Sequence, residues 1–432
     1  MAEPINTKAI KKVAERWGDP QSEPPGTQWV GVPGVAENIN RRATGDPKID
    51  WINHSGSLLA RFKKPIKALS LGCGFGAIER ILRRRNYCQF IHGVDVAERA
   101  IESARQQAAA EALDGLTYEV ADLNTATFPE DTYDVVYAHA CLHHVFHLEH
   151  LLDQIKRTLR MGGLLVVQEY IGPSQMQFPE KHLHLADIFL KAIPERYRRL
   201  RTRPGTKQQA PRLPLDTMND SDPSEAIRAT EIVPLIASRF EVKHFCYLAG
   251  SLLLLIFNEI AGNFDACDGA IMPLVMALIA LDNFLVDNKV LPSYHVYMVC
   301  EKTGNLVPMQ TENVLPSAAP LLGATELEAR VVRPEPSGSI AADPNPFNSH
   351  SHGAGQTTLS WMSYGTSRVE LMQAAQDLLH HVFRVAASHG HQQTMRLRRQ
   401  LPALAHPAGE FAAQQNVVRA QQQFGVRLTL LI

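Results

Sequence analysis

The chain has no excess of either charge. Its 43 Lys and Arg face 44 Asp and Glu across 432 residues, leaving a formal net charge of −1. Without a basic stripe it lacks the electrostatic footprint of a nucleic-acid binder, and no nucleic-acid partner is expected. Its six cysteines, Cys73, Cys88, Cys141, Cys246, Cys267 and Cys300, include no Cys-x-x-Cys pair and read as reduced thiols rather than a disulfide framework. No stretch offers some twenty uninterrupted apolar residues. Ala270–Val286, the longest candidate, is broken by Pro273 and Asp282, so no integral membrane segment is expected. The opening Met-Ala-Glu-Pro-Ile-Asn has no basic region leading into an apolar core, which argues against a secretory signal and for a cytoplasmic protein.

What the chain does have is Ala68-Leu-Ser-Leu-Gly-Cys-Gly-Phe-Gly76. A short apolar run of this kind reads as a buried parallel strand. The glycines at 72, 74 and 76 then allow a turn without Cβ atoms facing a ligand, and a helical pattern over Ala77–Arg84 follows. A glycine turn at a helix N-terminus aims free N–H groups at whatever sits there. A second strand ends in Asp95, little more than twenty residues on, where a carboxylate can accept hydrogen bonds from both hydroxyls of a ribose. Further strands are expected over Leu116–Ala121, ending in Asp122-Leu123, over Tyr133–Ala138 and over Gly163–Glu169. The alternation with helices predicts an α/β fold with a parallel sheet and its ligand at the carboxyl ends of the strands.

The order of these signals resembles that of the class I methyltransferases that use S-adenosylmethionine, in particular small-molecule members of the type 11/12 kind. The signals are the glycine loop, Asp95, Asp122-Leu123, the segment Asp134-Val-Val leading to Leu142-His-His, and the run Leu159-Arg-Met-Gly-Gly into Glu169. The resemblance spans about residues 17 to 302. It implies a doubly wound, seven-stranded, mostly parallel sheet of Rossmann-like type, with an N-terminal cap, an insertion after the fifth strand and a C-terminal extension. It also implies S-adenosyl-L-methionine as cofactor. By the same resemblance Gly72, Cys73, Gly74 and Gly76 wrap its methionine part, Asp95 holds the ribose, Asp122 reads the adenine amino group, and Val96, Leu123 and His139 are further cofactor contacts. One position departs from the pattern: such enzymes often carry Asp or Glu in the first strand where this chain has Ser70. The glycine pattern with Ala77 also fits a dinucleotide fingerprint, so an NAD-dependent oxidoreductase stands as the alternative, beside a methyltransferase-like module that only binds.

His139-Ala-Cys-Leu-His-His-Val-Phe-His-Leu-Glu-His150 is dense in histidine. Spacings of three and four predict several of these on one helical face. No His-Glu-x-x-His occurs and no carboxylate or cysteine is spaced to complete a ligand set, so no metal is expected. Imidazole titrates near neutrality, which suits His143 or His144 to deprotonate an attacking acceptor. Glu169 is the further candidate for a base or a substrate anchor. The acceptor is expected to be a small molecule such as a sugar, a nucleotide sugar or a related metabolite.

Residues 1–65 are expected to form a helical cap, with Trp17, Trp29 and Trp51 pinning it to the main domain. Residues 66–302 form the cofactor-binding domain, and within it 173–223 is the substrate-side insertion. Its basic stretch from Arg196 to Arg203 reads first as a solvated helix face and otherwise as a meeting point for a phosphorylated or nucleotide-linked substrate. A helix is expected over Glu225–Phe240, and the apolar pair Ser251–Phe264 and Asp268–Lys289 reads as core or homodimer helices. From 303 to 432 no lysine occurs; a Pro/Gly/Ser/Ala-rich linker, 305–358, precedes helical periodicity over 367–389.

Overall fold

The apolar run closes on itself as Lys67–Leu71 (β1), whose last four residues are fully buried, and a sheet is built outward on both of its sides. The computed structural model describes residues 7–304 apart from Gln21 and Glu23. The expected linker and tail helix of 303–432 lie outside these residues almost entirely. The cap contributes α1 (Thr7–Trp17), α2 (Val35–Thr44) and α3 (Trp51–Leu58). After β1 come α4 (Ala77–Arg84), β2 (Phe90–Asp95), α5 (Glu98–Ala110), β3 (Leu116–Val120), β4 (Tyr133–His139), α6 (Leu148–Thr158) and β5 (Leu159–Tyr170). The insertion carries α7 (Glu180–Ala192) and α8 (Leu215–Ser221). Then follow α9 (Ile232–Ala237), β6 (Glu241–Ala249), α10 (Ser251–Phe257), α11 (Met272–Asp287) and β7 (His295–Glu301).

The seven strands stand in the order β3-β2-β1-β4-β5-β7-β6. All neighbours from β3 to β5 are parallel, while β7 is antiparallel to both β5 and β6. This is the seven-stranded, mostly parallel sheet that the sequence predicts. Strand order reverses between β1 and β4, and ligands of such sheets lie outside the carboxyl ends at that point. One face of the sheet packs Leu69, Leu71, Val136 and Leu165 against α6 and α9. On the other, Ile101, Ala104 and Ala108 of α5 close over Tyr118 of β3.

Several bounds differ from expectation. The Met161-Gly-Gly turn is part of β5, because the strand continues back to pair Leu159 with Tyr133. The helix expected over 225–240 is reduced to α9, preceded by a single turn at Ala229–Glu231. Ser251–Phe264 stops being α-helical at Phe257. Among the described residues no helix is long and apolar enough to cross a membrane.

Candidate active site

The glycine turn after β1 is shaped by left-handed backbones at Gly72, Gly74 and Gly76. Gly72 has φ +58°, and a Cβ there would strike the Cys141 side chain. Gly74 has φ +50°, yet a Cβ on it would meet nothing within 4 Å. The crown of the turn therefore borders open space, as a cradle for a ligand must. Asp95, at the tip of β2, fixes the crown from the side: its Oδ2 accepts from the Gly74 N–H at 2.9 Å and its Oδ1 from Ala97 N–H at 2.9 Å. Burial raises this carboxyl above the ordinary range, while those backbone donors pull it back. Arg80 holds the turn from behind through the Phe75 carbonyl, at 2.7 Å.

Below the turn, the Ser70 hydroxyl donates to Glu79 of α4, a carboxyl with no solvent exposure. Burial and the nearby Asp95 charge push Glu79 up to about 7 against the pull of Ser70 and Arg80. The strand residue that departs from the usual acid is thus paired with an acid from the next helix.

Asp122, after β3, accepts from the Asn124 N–H and side-chain amide at 2.9 and 2.7 Å through Oδ1. The Leu123 side chain turns into the core, so only its backbone can serve a ligand. Val96 is half-buried beside Asp95, and Cys73 lies in the turn with its thiol pushed up by burial. His139, the last residue of β4, stacks on Trp51 of α3 with centroids 5.2 Å apart and planes at 13°. Gly72 to Gly76, Asp95, Asp122 and His139 thus follow β1, β2, β3 and β4 along one sheet edge. The three cap tryptophans reach it too: Trp17 meets His144 edge-on at 5.1 Å and Trp29 packs on His295 at 5.0 Å.

The histidine-rich segment does not fold as spacing suggests. Leu142–His144 form a single tight turn and α6 starts only at Leu148, so His143 and His147 share no helical face. His147 precedes the helix, and His150 bonds the Ala126 carbonyl at 3.1 Å. What positions His143 is Glu169, which lies at the end of the neighbouring strand β5. Glu169 Oε1 accepts from the Cys141 and Leu142 N–H groups at 2.5 and 2.6 Å. Its Oε2 faces His143 Nδ1 at 2.6 Å and accepts from Tyr170 N–H at 2.8 Å. With four donors and 2% exposure it has no capacity left for a substrate. Burial opposes charge on His143, but Glu169, Glu225 and Asp222 outweigh it and hold the ring up to about 9. Burial and the His143 charge keep its neighbour His144 well below the usual histidine range.

The sequence reading missed Glu225. Its Oε1 lies 3.8 Å from His143 Nε2, although it follows that histidine by more than eighty residues. The adjoining Ala226 has φ +52° and accepts from Gln175 N–H at 2.8 Å, while Ile227 N–H donates to the His143 carbonyl at 3.0 Å. Positive φ at alanine was the structural sign of a special position, and sequence carries no mark of it. The arginine stretch sits elsewhere: Arg196, Arg199 and Arg201, with Tyr197, Asn263 and Asp268, line a cavity of about 510 Å³ whose lining includes none of the residues along the sheet edge.

Comparison with known families agrees with this geometry. Residues 69–167, from β1 to β5, match the family described as a methyltransferase domain. Over these residues the chain is similar to that family. The chain is 30% identical over 106 residues to 27-O-demethylrifamycin SV methyltransferase of Amycolatopsis mediterranei, covering 24% of this chain and 39% of that one. It is 31% identical over 131 residues to trans-aconitate 2-methyltransferase of Methylobacterium nodulans, covering 30% and 47%. The chain spans less than half the length of the curated relatives it matches. Among solved structures, geranyl diphosphate C-methyltransferase from Streptomyces coelicolor A3(2) aligns over 69% of this chain and all of its own, at 14% identity and a TM-score of 0.41.

An adenosyl cofactor suits the residues of the methyltransferase domain. The uncovered face of Gly74 leaves room for it, and Asp95 and Asp122 offer carboxylate oxygens to ribose hydroxyls and an adenine amino group.

Proposed function

We propose that the chain transfers a methyl group from S-adenosylmethionine to a small-molecule acceptor such as a sugar or nucleotide sugar. The observation that carries this reading is the common sheet edge shared by the Gly72–Gly76 turn, Asp95, Asp122 and His139. When bound, the cofactor supplies a methyl group already activated by its sulfonium, so the protein has mainly to align the acceptor and manage its proton. Asp95 would hold the ribose, Asp122 the adenine amino group, and Gly72, Cys73, Gly74 and Gly76 the methionine part; Val96 and Leu123 offer backbone to the same ligand. The face of His139 away from Trp51 would close the site. On the acceptor side stands His143, its Nδ1 held by Glu169 and its Nε2 directed toward Glu225. His144, kept neutral, is the group able to take the proton of the acceptor's X–H; His143, held up to about 9, can do so only once it has itself lost a proton, and Glu169 acts by fixing His143 and the tight turn that carries it.

Calorimetry with S-adenosylhomocysteine and with NADH tests the cofactor. S-adenosylhomocysteine binding in the micromolar range with no NADH binding is expected; the reverse would replace this reading with a nicotinamide enzyme. Transfer of radiolabelled methyl to a panel of sugars, nucleotide sugars, phenols and amines then tests the acceptor. Turnover with whichever compound is labelled should fall in His143→Ala far more than S-adenosylhomocysteine affinity does.

A further inference from the structure

We propose that His143, His144 and Glu225 form a binding site for one divalent transition-metal ion on the acceptor side of the pocket. This inference rests on the reading of that pocket as the acceptor site, but the metal can be tested without any acceptor. One ligand atom from each residue lies within 4.8 Å of the others, the only group of this kind among the described residues.

Hydrogen bonding sets the tautomer of both rings. Ser224 Oγ donates to Asp222 Oδ1 at 2.7 Å, so it accepts from His144 Nδ1–H, 2.9 Å away. Glu169 Oε2, a carboxylate oxygen, likewise takes the proton on His143 Nδ1 at 2.6 Å. Each imidazole is therefore backed by a carboxylate, directly in one case and through a serine in the other. Each then has Nε2 as the atom for a metal, which at His143 must displace the proton that faces Glu225. Such backing by a second group is how metal-binding histidines are oriented.

Glu225 supplies the carboxylate that the histidine-rich segment lacks. Its Oε1 stands 3.8 Å from His143 Nε2, and donors about 2 Å from a shared metal lie roughly 3 to 3.5 Å apart. All three ligand atoms already lie within 4.8 Å of one another, so an ion would draw them together by at most about an ångström or two. The backbone around it is pinned by Gln175 N–H on the Ala226 carbonyl and by Ile227 N–H on the His143 carbonyl. Two imidazoles and one carboxylate select zinc, iron or cobalt over magnesium or calcium, which take oxygen ligands. Three protein ligands leave coordination positions open, and an acceptor hydroxyl or amine would occupy one of them.

Titration of the chelator-stripped full chain with Zn2+, and separately with Mg2+, tests the site. One equivalent of Zn2+ should bind at micromolar or lower Kd, and Mg2+ at least 100-fold more weakly. Glu225→Gln and His144→Ala should each weaken Zn2+ by at least 10-fold while S-adenosylhomocysteine affinity stays within about 2-fold, which also reports that each variant is folded. Co2+ should give visible absorption bands that both substitutions abolish. No stoichiometric Zn2+, equal Mg2+ binding, or Zn2+ affinity unmoved by both substitutions would overturn the site. Loss of S-adenosylhomocysteine binding in the unaltered chain would instead remove the cofactor reading and leave the metal result standing on its own.

Discussion

Asp95 and Glu169 are both buried carboxylates at strand ends, and their partners assign them different work. Asp95 accepts one backbone N–H at each oxygen, from Gly74 and Ala97, and so keeps acceptor capacity for a ligand. A pair of hydrogen bonds to a charged acceptor is worth about 1.5–3 kcal/mol apiece. Asp95→Ala should weaken S-adenosylhomocysteine by about 100-fold or more in calorimetry, and unchanged affinity would refute the ribose role. Glu169 has every oxygen taken by two donors. In Glu169→Gln an amide nitrogen must face two donors whichever way the group flips, leaving buried N–H groups unpaired. A loss of about 2–4 kcal/mol of stability follows, read as a fall of several degrees in Tm. A variant that melts with the unaltered chain would show that Glu169 is not the clamp of this turn.

The glycine turn separates packing from binding at the scale of an element. A Cβ at Gly72 collides with Cys141 where β1 and β4 lie side by side, so Gly72→Ala must push two parts of the core apart. A Cβ at Gly74 collides with nothing and carries only the strain of a left-handed backbone, about 1–2 kcal/mol. Gly74→Ala should therefore fold with a Tm within a few degrees of the unaltered chain yet lose cofactor affinity, whereas Gly72→Ala should lose stability first. Paired thermal unfolding and S-adenosylhomocysteine titration check the contrast; equal losses of stability in both variants would put Gly74 against protein rather than ligand.

The strands, their terminal acids and this turn were legible in the chain because each is local: an apolar run, a glycine, a carboxylate within a few residues. Glu225 was not. Its approach to His143 depends on how residues 171–227 fold back across the edge, and no spacing along the chain encodes that return. Histidine spacing misled for a related reason. Periodicity assumes a continuous helix, whereas Glu169, from the adjacent strand, draws Cys141 and Leu142 into a tight turn that ends before α6 begins. The short α9 shows the same limit, since tertiary contacts of the insertion override a helical pattern over 225–240.

For the whole molecule, an electrostatic cost lies below the glycine turn, where Glu79 has no contact with solvent. Its carboxyl moves from 4.5 to about 7 on folding, so the folded chain keeps a proton that the unfolded chain releases. Stability falls with rising pH wherever the unfolded state binds fewer protons. For this group that window runs from about 4.5 to 7, with the full penalty present above it. A tenfold change in proton affinity corresponds to about 1.4 kcal/mol, which makes the penalty about 3 kcal/mol. Glu79→Gln keeps a carbonyl oxygen for the Ser70 hydroxyl but never ionises. Denaturant unfolding at pH 5 and pH 8 should therefore show the variant gaining about 2.5 kcal/mol on the unaltered chain between the two conditions, because contributions from titrating groups not coupled to Glu79 cancel in the difference. A gap between the two chains that stays constant with pH would mean that Glu79 folds already charged, and that Ser70 and Arg80 together outweigh its burial.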